Sequence, residues 1–195
     1  MVSKEVTLDR PTEPLVTTYY RKFESSERYA VGDRAILRLV QQLPHNTDLD
    51  VVLLKVCIIN DLYSTQIYST FEMAQHIQSL NIDPELRRKS TNVVNAIAKA
   101  RLGNKKRNCY SFATKYCSWH DQCNYPIFDK FVEAVILQYR RLDSFTSFRK
   151  QDLKDYGSYK RILTDFRTFY GLQRFTFKEL DKFLWMYGRE KFPNI

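Results

Sequence analysis

The chain has 195 residues, of which 44% are hydrophobic, enough for a domain with a substantial core. Its 31 Lys and Arg against 22 Asp and Glu give a formal net charge of +9, which favours an acidic partner such as nucleic acid or an anionic membrane surface. There is no run of about 18 apolar residues, and the start MVSKEVTLDRP lacks the apolar core of a signal peptide. We therefore expect a cytoplasmic protein that does not span a membrane.

The spacing of apolar residues predicts an all-α fold. Only 5 Gly and 6 Pro are present, and apolar positions recur mostly every three or four residues. We expect about eight to ten helices in a single domain over residues 1–195. Alternatively, two lobes share a core and leave a groove between them, with 142–157 as the segment most easily divided.

In the first half of the chain, four helices are predicted. Asp33 begins an amphipathic helix that ends near Leu43, and residues 48–63 are apolar on nearly all sides, as in a central core helix. The spacing of Ser69 and Glu72 is that of a capping box, and Asp83-Pro84 gives an N-cap followed by a proline at the first helical position.

In the second half, a basic turn interrupts the helices. Helices are predicted for 91–101, for 109–119, from Pro126 through Tyr139, for 159–170 and for 176–187. The turn is LGNKKRN, residues 102–108. With the end of the preceding helix it places five cations in nine residues: Lys99, Arg101, Lys105, Lys106 and Arg107. A turn that leads into a helix N-terminus favours phosphate binding, and the alternative is a solvated charged loop.

The segment SFATKYCSWHDQCNYPIFDKFV, residues 111–132, concentrates reactive side chains. Cys117, His120 and Cys123 lie three residues apart, as in some zinc sites, but no fourth ligand is evident. We therefore expect ordinary thiols and no metal or other cofactor. His120 with Asp121 could alternatively act as a proton shuttle.

Three segments resemble the helix-hairpin-helix DNA glycosylase (HhH-GPD) superfamily. Residues 53–77, LLKVCIINDLYSTQIYSTFEMAQHI, are similar to the central helix, turn and following helix of that family. LGNKKRN lies at the hairpin position, and YPIFDKFV, residues 125–132, is similar to the segment that carries the catalytic aspartate. The resemblance implies a divergent member with an HhH-GPD-like orthogonal bundle. Its expected partner is double-stranded DNA with a modified base, bound by a nucleoid-associated monomer.

The resemblance also assigns roles to individual residues. Asp129 would stabilise the sugar cation or activate water, and Lys115 is the second catalytic candidate. The expected DNA contacts are Gly103, Lys105, Lys106, Arg107 and Ser111. The wedge that replaces a flipped base would be Leu62 and Tyr63, and the pocket would be lined by Trp119, His120 or Tyr125.

The chain departs from the family pattern at the hairpin and at the nucleophile. Gly103 is the one glycine left in the hairpin, and Ser111, eighteen residues before Asp129, stands where bifunctional members carry a lysine. Lys115 lies one helical turn further on, on the same face as Ser111. We therefore expect monofunctional base excision. The alternatives are a non-catalytic DNA-binding module and a helical protein-interaction domain.

Overall fold

The computed structural model describes residues 6–195, and that part of the chain is mostly helical. It contains ten α-helices, one short 3-10 helix and one two-stranded hairpin, which confirms the all-α prediction. In chain order these elements are α1 Glu13–Glu24, α2 Glu27–Gln42, α3 Leu49–Tyr63, α4 Thr70–Ser79, α5 Asp83–Arg87, α6 Asn92–Ala98, β1 Lys99–Leu102, β2 Lys105–Asn108, α7 Tyr110–His120, α8 Lys130–Asp143, the 3-10 helix Lys150–Lys154, α9 Tyr156–Phe169 and α10 Phe177–Lys191.

The contacts divide the chain into two compact units. The central unit is Glu27–Ile127, and the terminal unit joins Met1–Ser26 to Phe128–Ile195. The central unit therefore contains α2 to α7 and the hairpin, while the terminal unit contains α1, α8, α9, α10 and the 3-10 helix. The expectation of one domain over residues 1–195 stays a prediction.

Helix α3 provides much of the core of the central unit. Val52, Val56 and Ile59 are fully buried, and α3 packs against α2, α4 and α7. The helix predicted over 48–63 is therefore confirmed. One side of α3 is open, however, because Leu54 and Leu62 are exposed.

Several helix boundaries and caps predicted from the sequence were wrong. α2 begins at Glu27, six residues before Asp33, and α1 was not predicted at all, although the Thr12 hydroxyl caps it. The capping box at Thr176 and Glu179 is confirmed. The one predicted at Ser69 is wrong, because the Ser69 side chain makes no capping hydrogen bond.

The basic turn is a β-hairpin rather than a loop between two helices. The helix predicted to reach Arg101 ends at Ala98, because the following residues pair as β1 with β2. Leu102 lies opposite Lys105, so Gly103 and Asn104 form a two-residue loop. Gly103 has φ +59°, whereas Asn104 has no positive φ. This is the pattern of a type II′ turn, which requires glycine at its first central position.

Helix α8 begins later than predicted, and this changes the position of Asp129. The helix begins at Lys130 rather than at Pro126, so Asp129 is its N-cap and not a residue of its first turn. Asp83 shows the opposite shift: the N-cap is Ile82, and Asp83 is the first residue of α5.

The terminal unit is held by close contact between helices. α10 packs against α1 and α8, and a Cβ placed on Gly188 of α10 would lie 2.9 Å from the Phe131 backbone oxygen. Glycine is therefore needed where α10 meets α8. None of the helices in residues 6–195 is long and apolar enough to cross a membrane.

Two glycine substitutions in helix interiors should have opposite effects on stability. Gly188→Ala should lower the free energy of unfolding by about 1–3 kcal/mol, because the Phe131 backbone cannot move away cheaply. Gly32→Ala meets the flexible Leu62 side chain at 3.4 Å and should instead stabilise α2 by up to about 1 kcal/mol. Urea unfolding of both variants measures the difference. Equal effects would contradict the close approach of α8 and α10.

Candidate nucleic-acid interface

The hairpin exposes a group of unpaired cations. Lys99, Arg101, Lys105, Lys106 and Arg107 are all exposed. Within residues 6–195 none of the five has an acidic side chain within ion-pair distance. The hairpin therefore carries five positive charges that no acidic side chain of residues 6–195 neutralises.

The strand register separates these cations into two faces. Residues directly opposite each other in an antiparallel pair share a face, and faces alternate along each strand. Arg101 pairs with Lys106, and Lys99 lies two residues before Arg101, so these three cations form the outer face. Lys105 pairs with Leu102, and Arg107 pairs with the buried Ala100. Lys105 and Arg107 therefore lie on the inner face.

The base of the hairpin is fixed to the helices on either side. The Cys109 backbone N–H donates to the Ala98 carbonyl at 2.8 Å, and β1 packs against α4 and α6. Ala100 is 1% exposed, whereas Gly103 and Asn104 at the tip are exposed. The hairpin thus extends from a rigid base.

A small pocket lies on the inner face of the hairpin. Its volume is about 60 Å³. It is lined by Gln66, Ile67, Tyr68, Ser69, Leu102, Lys105, Arg107 and Cys109. Residues 66–69 were not predicted as site residues. Their closeness to the hairpin depends on tertiary packing, and no local sequence signal indicates it.

The predicted pair Ser111 and Lys115 is brought together at the start of α7. Lys115 is 2% exposed, and its Nζ donates to the Ser111 hydroxyl at 2.6 Å. The same Nζ lies 5.5 Å from the centre of the Tyr63 ring. The one-turn spacing predicted from the sequence is therefore confirmed, and it places the amine beside the Ser111 side chain.

Of the predicted wedge and pocket residues, two lie near this amine and one lies on the surface. The Tyr63 ring packs edge-on against Trp119 at 6.5 Å, and its hydroxyl is 3.4 Å from Asp33 Oδ1. Leu62, the next residue along α3, is 44% exposed. Tyr125 is fully buried, and its hydroxyl donates to the Ser90 carbonyl at 3.2 Å.

His120 and Asp121 are placed for structural roles. Burial lowers the pKa of His120 to about 3, helped by nearby Lys55 and opposed by Asp83. The ring is therefore neutral near pH 7, too weak a base for the proton shuttle that the sequence suggested. The Asp121 carboxylate accepts the backbone N–H of Cys123 and of Asn124, both at 3.1 Å, and so orders the turn after α7.

The spacing of Cys117, His120 and Cys123 does not bring metal ligands together. Cys117 is fully buried, and burial raises the pKa of its thiol, whereas Cys123 is exposed beyond the end of α7. Among residues 6–195 no group of three or more His, Cys, Asp or Glu side chains could hold a metal ion.

Asp129 lies in the terminal unit as the N-cap of α8. Its Oδ1 accepts the backbone N–H of Phe131 at 3.0 Å, which satisfies one of the free donors at the helix start. The residue is half-buried. This carboxylate is thus oriented by the helix that it caps.

A buried polar cluster in the central unit was missed by the sequence analysis. The Lys55 Nζ donates to the His45 carbonyl at 2.8 Å and to Asn46 Oδ1 at 3.1 Å. Asn46 also accepts the Tyr116 hydroxyl at 2.6 Å and donates through Nδ2 to Asp83 at 2.6 Å. Burial lowers the pKa of Lys55 to about 8, against the opposing effect of Asp83. The sequence signal that could have indicated this cluster is Lys55 itself, a lysine in the middle of the apolar helix α3.

Comparison with known proteins identifies a family, but the descriptions of that family and of the relative name no activity. The model of a family described as the HI_0787_N N-terminal domain matches residues 15–124, a segment that includes nearly all of the central unit. A Haemophilus influenzae relative, described as an uncharacterized protein, is 39% identical over 150 residues, which cover 76% of this chain and 72% of the relative. No solved structure matches the chain.

The low pKa of His120 should make the protein sensitive to acid. Its pKa is about 3 when folded and 6.5 for an ordinary histidine, so between these values the unfolded chain binds more protons and stability falls as the pH falls. Between pH 6 and pH 4.5 the expected loss is about 2 kcal/mol, at roughly 1.4 kcal/mol per pH unit.

Urea unfolding at several pH values measures this loss. His120→Phe keeps an aromatic ring beside Tyr116, 5.4 Å away in the native protein, and should flatten the pH profile. His45→Gln is the control, because the His45 side chain is 73% exposed. If the His120 variant keeps the native slope, another group controls acid stability.

Proposed function

The chain belongs to the HI_0787_N family, and we propose that it is a DNA glycosylase-like enzyme that removes a modified base from double-stranded DNA. The observation that carries the proposal is the exposed basic hairpin, which leads directly into α7, the helix that holds Lys115. Neither the family description nor the relative names an activity. The proposal rests on the residues and on the resemblance to the HhH-GPD superfamily.

The hairpin is the DNA-binding element in this proposal. Side-chain cations that neutralise phosphates release counterions from DNA, so affinity gained in this way falls as the salt concentration rises. The outer face offers Lys99, Arg101 and Lys106 on one side of a two-stranded ribbon. These cations contact backbone phosphates rather than base edges, and they position the duplex without reading its sequence.

Asp129 is the proposed catalytic carboxylate, a role assigned by the resemblance. Cleavage of the N-glycosidic bond builds positive charge on the sugar, and a carboxylate stabilises that charge or activates the attacking water. The hydrogen bond from the Phe131 backbone N–H fixes the orientation of the Asp129 side chain. An oriented, half-buried carboxylate suits this role better than a mobile surface one.

Lys115 is proposed to act as a cation rather than as a nucleophile. A lysine nucleophile must first lose its proton. The Tyr63 ring lies within cation–π distance of the amine, and the Ser111 hydroxyl accepts a hydrogen bond from it. We therefore propose monofunctional base excision. We also propose that the reaction needs no cofactor and that the enzyme is a cytoplasmic monomer associated with the nucleoid.

A non-catalytic DNA-binding module is the second candidate. It is favoured by the capping contact of Asp129, since a helix N-cap is a sufficient structural reason for an aspartate at this position. The two candidates predict the same DNA binding by the hairpin. They differ in whether any base is released.

Substitution of Asp129 separates the two candidates. Asp129→Asn keeps an N-cap, because asparagine caps helices as well as aspartate does, but it removes the negative charge. Release of a modified base, measured on a panel of lesion-containing duplexes, should fall by at least a hundredfold while DNA affinity stays within about threefold, because the lost charge–charge stabilisation acts mainly in the transition state.

The matched control is Asp155→Asn. Asp155 is the N-cap of α9 in the same unit and accepts the Ser158 N–H at 2.9 Å. This variant should release base at the native rate. Salt-sensitive DNA binding without turnover of any lesion would leave the non-catalytic module as the function.

Trapping with borohydride tests the role of Lys115. A monofunctional enzyme forms no Schiff base with the abasic sugar, so incubation with lesion DNA and borohydride should yield no covalent protein–DNA adduct. An adduct that disappears in Lys115→Met, with Lys178→Met as the control for a second buried lysine, would show that Lys115 is the nucleophile.

A further inference from the structure

The pocket beneath the hairpin has two walls of different origin. Lys105, Arg107 and Leu102 form the wall contributed by the inner face, and the segment from Gln66 to Ser69 forms the other. Both walls belong to the central unit. The pocket therefore does not depend on residues of the terminal unit.

The pocket is positively charged and has no counter-charge of its own. No aspartate or glutamate is among its eight lining residues, and neither Lys105 nor Arg107 has an ion pair within residues 6–195. Arg107 lies within electrostatic reach of Cys109, where it opposes the rise in the thiol pKa caused by burial.

Ser69 adds a hydroxyl group to the same pocket. It is the residue before α4, yet its side chain is not used to cap that ten-residue helix. The first-turn N–H groups of α4 and the positive end of its dipole lie next to Ser69. The hydroxyl and the two cations together make a set of donors that suits an anion.

The size of the pocket selects a small anion. The volume of the pocket is about 60 Å³. Each water-sized group needs about 10–15 Å³ of pocket volume, so roughly four to six heavy atoms fit. One phosphate group has five heavy atoms. A nucleobase has about twice as many and is too large for this space.

Tyr68 extends the pocket with an exposed aromatic surface. Its side chain is 82% exposed, although it borders the pocket. An exposed ring beside a phosphate-sized site can stack on the base or sugar attached to that phosphate. Such stacking tolerates any base sequence, because every base has a flat face.

We infer that this pocket binds one backbone phosphate of a nucleic-acid strand, with Lys105, Arg107 and Ser69 as donors to the phosphate and Tyr68 stacked on the attached nucleoside. The inference deepens the proposed function and rests on it for the identity of the strand. It assigns different roles to the two faces of the hairpin: the outer face attracts DNA diffusely, and the inner face fixes its register.

Titration calorimetry with inorganic phosphate tests the pocket without DNA. Arg107→Gln should weaken phosphate binding at least tenfold, because it removes a charged donor from the pocket. Arg101→Gln removes the same charge from the outer face and should change phosphate affinity by less than twofold. Arg107→Lys keeps the charge and should retain most of the affinity. Circular dichroism checks that every variant is folded.

Binding of a short single-stranded DNA oligonucleotide tests the stacking role, because its bases are free to stack on Tyr68. Tyr68→Ala should weaken oligonucleotide binding about tenfold and leave inorganic phosphate binding unchanged. Tyr29→Ala gives a control on a tyrosine that does not line the pocket.

Each outcome has a defined meaning. Equal losses in Arg101→Gln and Arg107→Gln would overturn the pocket while leaving DNA binding by the hairpin intact. Phosphate binding that depends on Arg107, without any effect of Tyr68→Ala on binding of the single-stranded oligonucleotide, would overturn the nucleotide assignment. Failure of every lesion duplex to release a base would defeat the glycosylase proposal, but would not alter the expected phosphate results.

Discussion

The hydrogen bond between the Cys109 N–H and the Ala98 carbonyl is the constraint on which the interface depends. It joins the end of α6 to the start of α7, and the ten residues between them form the tight hairpin. Because the hairpin is a β-ribbon, its side chains alternate between two faces. The five cations, which lie within nine residues of the sequence, are therefore divided into an outer set and an inner set. A helical or irregular turn would not separate them in this way.

A second constraint holds the helices that support the hairpin. Asn46 is bonded to Lys55 of α3, Asp83 of α5 and Tyr116 of α7, so one buried amide ties three helices to the loop after α2. A buried polar cluster lowers stability unless every polar group in it is hydrogen-bonded. Here the Lys55 amine donates to two acceptors, the His45 carbonyl and Asn46 Oδ1. The cluster fixes α7, and α7 in turn fixes the position of Lys115.

Sequence periodicity predicted the helices well and the site geometry poorly, for physical reasons. Long helices such as α3 and α10 show their apolar residues locally, and α10 also shows its capping box. The residues Lys99 to Arg101 continue the helical spacing of α6, and only pairing with β2 makes them a strand. Contacts such as Asn46 to Tyr116 join residues 70 positions apart, and no local pattern encodes them. Asp129 was predicted to lie inside a helix that begins at Pro126, whereas it is the N-cap of α8, and this capping role appears only in the geometry.

The β-hairpin also explains a departure from the HhH-GPD pattern. That pattern uses a glycine-rich turn, whose backbone can approach phosphate closely. Here β1 and β2 pair with each other, so their ladder N–H groups already have partners, and a type II′ turn requires only Gly103. A turn that needs one glycine and strands that carry five cations therefore occur together in this hairpin, and in the proposed DNA complex the contacts of these cations would be weakened by salt.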